Sequence, residues 1–190
     1  MLIIIHVMVI KSCSKDSYLF DDELWKDNSG LSRPRMTKSN PEPGSGQQYF
    51  PPVDIIVNNS AVKDSMDEAW SLMLASCSEA GRREYGFLIF YNPTTGTLST
   101  GQMCKGDLLS YDKRGSVRIT GSCPSGTYPC AKFHVHTSFY SAPEGKRRHT
   151  GLSDGDTSSV IPTIIYDYVD PYTYKGHPMN SSKTVYSYYP

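Results

Sequence analysis

The chain is 190 residues long, a length that fits one domain with ragged ends and asks for no second core. Lys and Arg number 19, as do Asp and Glu, so the formal net charge is zero and the chain lacks the basic field that draws nucleic acid. Tyrosine dominates the aromatics, with 14 against 6 Phe and 2 Trp, and tyrosines favour strands and half-wet surfaces, so a sheet-rich domain is expected.

Residues Met1 to Ile10 are apolar apart from His6, and Lys11-Ser12-Cys13 follows. Ten residues are too few to span a bilayer, so no transmembrane segment is expected. The run reads either as a signal-like or lipoprotein-like segment, residues 1–13, or as an ordinary apolar start, which leaves localisation open between export and the cytoplasm. Residues 14–52 gather turn formers such as Asn28-Ser29-Gly30, Arg33-Pro34, Pro43-Gly44-Ser45-Gly46 and Pro51-Pro52. Such a stretch supports neither a helix nor a central strand and is expected to be a disordered linker or arm, with the folded unit at 53–190.

Within that unit, Val53 to Val57 reads as an edge strand. The stretch Lys63 to Ala80 reads as one helix, because Met66, Ala69, Trp70, Met73, Leu74 and Cys77 recur on one face. Asp64 or Ser65 is the expected cap and Gly81 the expected stop. Glu84 to Tyr91 is apolar after its first residue, as a doubly covered central strand should be. Thr94 to Gly101 predicts a turn and strand, Leu108 to Thr120 a hairpin, and Lys132 to His136 a strand that sends both histidines to one side. A polar excursion from Ser138 to Thr150 precedes a short helix near Ser153, a strand over Ile161 to Tyr168 and a last strand over Thr184 to Tyr189. The tightest cationic cluster, Lys146 to His149, reads as a solvated loop, and the alternating Tyr166, Tyr168, Tyr186 and Tyr188 as packing residues. Of the five cysteines, Cys123 and Cys130 flank a turn-like segment and either close a short disulfide loop or stay reduced.

The chemistry-bearing residues lie in three places. His134 and His136, two apart on a strand, offer two imidazoles from one face, as a sheet does when it presents ligands to a metal. Ser153-Asp154-Gly155-Asp156 adds a carboxylate at an irregular turn. A third ligand there completes a set that leaves a coordination place for water. Glu84, at the mouth of the apolar strand, is a proton-transfer group that does not sit on the metal; the plainer alternative is an ordinary turn glutamate. His149 and His177 read as loop residues.

In this order, Glu84, His134-Val135-His136 and Ser153-Asp154-Gly155-Asp156 resemble the upstream Glu, the H-x-H and the S-x-x-D of the JAMM (JAB/MPN) metalloprotease family. Arg83-Glu84-Tyr85-Gly86 and the tail from Ile161-Pro162-Thr163 to Tyr189 are most similar to a JAB-like domain of bacterial proteins, many of them secreted or toxin-associated. The resemblance covers residues 62–190. It implies an α/β (α+β) fold of the JAB/MPN type, related to cytidine deaminases, with a mixed β-sheet flanked by helices. It also implies Zn2+ held by His134, His136 and Asp156, with Glu84 moving the proton and Ser153 donating to the oxyanion. The implied substrates are a peptide, an isopeptide-linked protein or a small amide.

Three departures from the family pattern stand out. Thr137 occupies a place where the family commonly has Pro. The spacing between His136 and Asp156 is longer than usual, so Ser138 to Thr150 reads as an insertion, with Tyr140 and Lys146 to His149 on a lid or specificity surface. Asp154 competes with Asp156 as ligand, although the S-x-x-D register favours Asp156. Beside the hydrolase reading, a catalytically silent binding or scaffold module of the same fold and a secreted toxin domain both stay open.

Overall fold

The computed structural model describes residues 49–111, 113, 115–137, 139–140, 150–169, 172–174, 177–178 and 181–190, with the backbone alone at 139–140, 172–174 and 177–178. The apolar start at 1–13, Cys13, most of the proline-rich arm and the Lys146 to His149 cluster lie outside the described residues. Tyr49 to Pro52, expected in the arm, pack against the domain. The Tyr49 carbonyl accepts a hydrogen bond from the Tyr128 hydroxyl at 2.7 Å, and its ring meets that of Tyr91 at 5.4 Å.

The run expected as an edge strand is a helix, α1 (Val53–Asn58). Val53, Ile56 and Val57 are the residues that face the core, and their spacing of three and four is helical. Proline suits the entry to such a helix, because the first backbone N–H groups have no intrahelical acceptor. The second helix, α2 (Ser60–Ser76), begins and ends earlier than expected. Its cap is Asn59, whose side chain accepts from Val62 N at 3.2 Å. The apolar face is the one the periodicity predicts: Val62, Met66, Ala69, Trp70 and Met73 are buried.

The strands that follow are β1 (Tyr85–Asn92), β2 (Thr97–Thr100), β3 (Cys104–Lys105), β4 (Tyr128–Val135) and β5 (Phe139–Tyr140). After these come the short helix α3 (Asp154–Thr157) and then β6 (Thr163–Tyr168), β7 (Tyr172–Tyr174), β8 (His177–Pro178) and β9 (Lys183–Tyr188). The main sheet is mixed and six-stranded, in the order β2-β1-β4-β6-β9 with β3 also paired to β1; β5, β7 and β8 make a separate small sheet. β4 and β6 run parallel, and the other neighbours in the main sheet are antiparallel. The chain is therefore an α+β domain. Among the described residues no helix is long and apolar enough to cross a membrane.

The hairpin expected over Leu108 to Thr120 does not form among the described residues there. A lone bridge, Arg82 to Leu109, stands in its place. Arg82, fully buried, fastens this stretch through its guanidinium as well as its backbone. Nη1 donates to Leu109 O at 2.9 Å and Ser110 O at 2.6 Å, Nη2 donates to Lys113 O, and the group lies over the Tyr111 ring. The result is an irregular strap fastened from beneath.

Strand alternation gives the main sheet two unlike faces. One packs on α2: Phe87, Ile89, Phe133, Val135, Ile164, Tyr166 and Tyr168 meet Met66, Trp70 and Met73, with Trp70 edge-on to Tyr166 and 4.6 Å from the Tyr168 ring. The other carries a smaller apolar group, Leu88, Phe90, Ile119 and Ile161. By the same alternation His134 and Asp167 belong to this second face, at its far end from that group.

Candidate metal centre

On β4 the even-numbered residues Lys132 and His134 point to the second face, and His136 follows just past the strand's end. Parallel pairing of β4 with β6 sets His134 beside Ile165 and Val135 beside Tyr166, and His136 N continues the ladder by donating to Tyr166 O at 2.9 Å. The third group arrives on α3. Ser153 is its cap, in a reciprocal capping box with Asp156, and this turn aims the Asp156 carboxylate at the two imidazoles. His134 Nε2 stands 3.1 Å from Asp156 Oδ1, and His136 Nε2 stands 3.4 Å from Asp156 Oδ2. One donor atom from each residue lies within 4.8 Å of the others, and all three residues are buried. Two imidazole nitrogens and a carboxylate oxygen so placed can hold a metal ion. Asp154, the competing ligand, is exposed and takes no part in the cluster.

Burial alone pushes the Asp156 carboxyl toward its neutral form, but His134 and His136 beside it outweigh that and hold it well below the usual carboxylate range. Its Oδ2 also accepts from Ser153 N at 2.6 Å and from the Ser153 hydroxyl at 2.7 Å. Oδ1 has His134 as its neighbour. The Ser153 proton is thus engaged with Asp156 in this structure, and an oxyanion would have to draw it away.

Asp167, on β6, was not picked out from the sequence. It is fully buried, and its Oδ2 stands 3.2 Å from His136 Nδ1 and accepts from Gly151 N at 2.8 Å. A proton on Nδ1 shared with Asp167 leaves the Nε2 lone pair facing the cluster, which is how a carboxylate behind a histidine orients it toward a metal. The same oxygen ties down the segment leading into Ser153 and Asp156. A signal was present: Asp167 is the single charge in the apolar run Ile161 to Tyr168.

Glu84 precedes β1. It lies two residues ahead of Gly86, which pairs with His134, while His136 lies two residues beyond His134. Glu84 is buried and lies outside the three-ligand cluster, as a proton carrier should. Gly86 permits this neighbourhood, for a Cβ there would fall 2.5 Å from Phe133 O and 2.8 Å from His134 Cβ. The strap closes over Glu84 from the other side: Gly106 N donates to Glu84 O at 2.9 Å, and Gly115 packs directly on the carboxyl group.

The side chain of His177 and all of His149 lie outside what is described. Cys130 is a free thiol, which excludes the Cys123–Cys130 loop; Cys123 is disulfide-bonded, but not to that residue. No protein-family model matches the chain, and no curated protein or solved structure matches it either.

Proposed function

We propose that the chain is a zinc-dependent hydrolase that cleaves a peptide, isopeptide or related amide bond, on a fold of the JAB/MPN type. The observation that carries this reading is the meeting of His134, His136 and Asp156 in one buried cluster, with buried Glu84 two residues ahead of the Gly86 that pairs with His134. Two neutral imidazoles and one carboxylate suit zinc and leave it with net positive charge and room for further ligands. Zinc bound there supplies Lewis-acid polarisation of the scissile carbonyl and lowers the pKa of water.

The remaining chemistry belongs to the chain. Glu84 takes one proton from the attacking water, the oxygen adds to the carbonyl carbon, and Glu84 returns the proton to the amine nitrogen as the C–N bond breaks. Ser153 donates its hydroxyl to the oxyanion when that charge competes with Asp156 for it. Asp167 keeps His136 in the required tautomer.

The test is a zinc-loaded protein challenged with peptide, isopeptide-linked and small-amide substrates. Wild type turns over at least one class, and Glu84→Gln keeps its zinc while losing roughly 10²–10⁴-fold in kcat. Wild type that binds zinc and hydrolyses none of them contradicts the proposal. The second reading, a binding module with a structural metal, is favoured by the burial of His134, His136 and Asp156, which are 5%, 7% and 1% exposed. On that reading Glu84→Gln changes nothing measurable and zinc removal unfolds the chain.

A further inference from the structure

Thr137 follows the second histidine directly. It is 1% exposed, and its hydroxyl oxygen is one of two buried side-chain oxygens without a hydrogen-bond partner among the described residues. The other, Thr163, lies at the start of β6 beside Lys132, removed from the cluster along both strands. A buried hydroxyl gives up its water on folding and gains nothing in return, so an orphan of this kind asks for a partner that arrives separately. Gly115 shows what stands near that oxygen. A Cβ on Gly115 would fall 2.9 Å from Thr137 Oγ1 and against Glu84 Oε1, closer to both than any real side chain comes. The strap therefore packs against the Thr137 hydroxyl and the Glu84 carboxylate together, and only a residue without a side chain lets it come so close. An O–H···O bond reaches about 2.7–2.8 Å, so two oxygens that both stand against one glycine are near enough for a single water to touch both.

Resting on the hydrolase reading above, we infer that Thr137 is a positioning residue for the attacking water: its hydroxyl accepts one of the water's hydrogens while Glu84 accepts the other. The proton transferred is the one on Glu84; the hydrogen on Thr137 stays with the water oxygen and fixes the direction of its lone pair toward the carbonyl carbon. A water held by a single carboxylate swings about that bond, and the second contact removes the swing.

The experiment compares wild type, Thr137→Val and Thr137→Ser. Valine keeps the shape and removes the hydroxyl; serine keeps the hydroxyl. In a crystal structure of the zinc-loaded wild type, one water is expected within hydrogen-bond distance of both Glu84 and Thr137 Oγ1. Thr137→Val is expected to lose that water, to melt at a temperature no lower than wild type, and to lower kcat at least tenfold with KM nearly unchanged. Thr137→Ser restores both the water and kcat. Zinc at the three-residue cluster with the water on Glu84 alone, or an unchanged kcat in Thr137→Val, overturns the inference and leaves the hydrolase reading standing. Zinc absent from His134, His136 and Asp156 overturns the hydrolase reading and this inference with it.

Discussion

At the scale of single residues, the centre is a contest between burial and charge. Asp156 is 1% exposed and still held in its ionised form, because two imidazoles and the Ser153 N–H and O–H converge on its carboxylate. His136 is held from both ends, by Asp156 at Nε2 and Asp167 at Nδ1. Replacing Asp167 with Asn keeps the shape but lets the amide present either a donor or an acceptor to Nδ1, so the tautomer is no longer fixed. Asp167→Asn is expected to weaken zinc binding roughly 10–100-fold in a chelator competition, with the fold retained by circular dichroism. An unchanged zinc affinity would show that Asp167 serves the Gly151 turn alone. The histidine pair was legible because strand alternation fixes direction from spacing, and Asp156 only through the S-x-x-D register of the family resemblance, since Asp154 offered the same carboxylate two residues earlier. Thr137, Gly86 and Gly115 were not legible: their importance lies in what stands opposite them, and neither register nor loop path is written in local composition.

Among the elements, the long helix and the two central strands followed from periodicity, and the errors have physical causes. Val53 to Val57 alternates weakly as a strand, yet Val53, Ile56 and Val57 also match a helical turn, and packing against α2 decided between them. Where a hairpin was expected over Leu108 to Thr120, a buried arginine, far away in sequence, bonds the Leu109 and Ser110 carbonyls, a contact that local pattern does not announce. The contact that ties α2 to the far edge of the sheet is electrostatic. Asp67 accepts hydrogen bonds from Lys63 and Lys183, and the Lys183 ammonium also lies 4.3 Å from the Tyr166 ring centroid. Burial raises the Asp67 carboxyl, but the two lysines outweigh it and set it below its ordinary value of 3.8. A carboxylate with a depressed folded pKa contributes stability that is complete above the ordinary pKa and is lost as the pH falls through the folded one. The difference in urea midpoint between wild type and Asp67→Asn should therefore be constant near neutrality and shrink from about pH 4 downward. A difference independent of pH would assign Asp67 a packing role instead. The effect is expected to be small, since the Asp67 side chain is 36% exposed.

For the whole molecule, the arrangement rests on a sheet whose faces have separate duties. One is given to the packed helix and supplies the apolar burial that holds the domain together. The other is covered by loops and turns, and its polar end collects Glu84 from just before β1, His134 from β4 with His136 just past it, Asp167 from β6 and Asp156 from α3. Four separate stretches of chain meet there, and the parallel β4–β6 pairing sets the two central ones side by side. A sheet-rich domain with one long helix was readable from composition and periodicity; the strand order was not, because sheet neighbours are chosen by long-range packing. The central claim is that His134, His136 and Asp156 form one metal site, and titration with zinc at neutral pH, followed by metal analysis after desalting, tests it most directly. One zinc is expected to stay on each wild-type chain and none on His134→Ala or Asp156→Asn. Wild type that retains no zinc, or variants that retain as much as wild type, would contradict it.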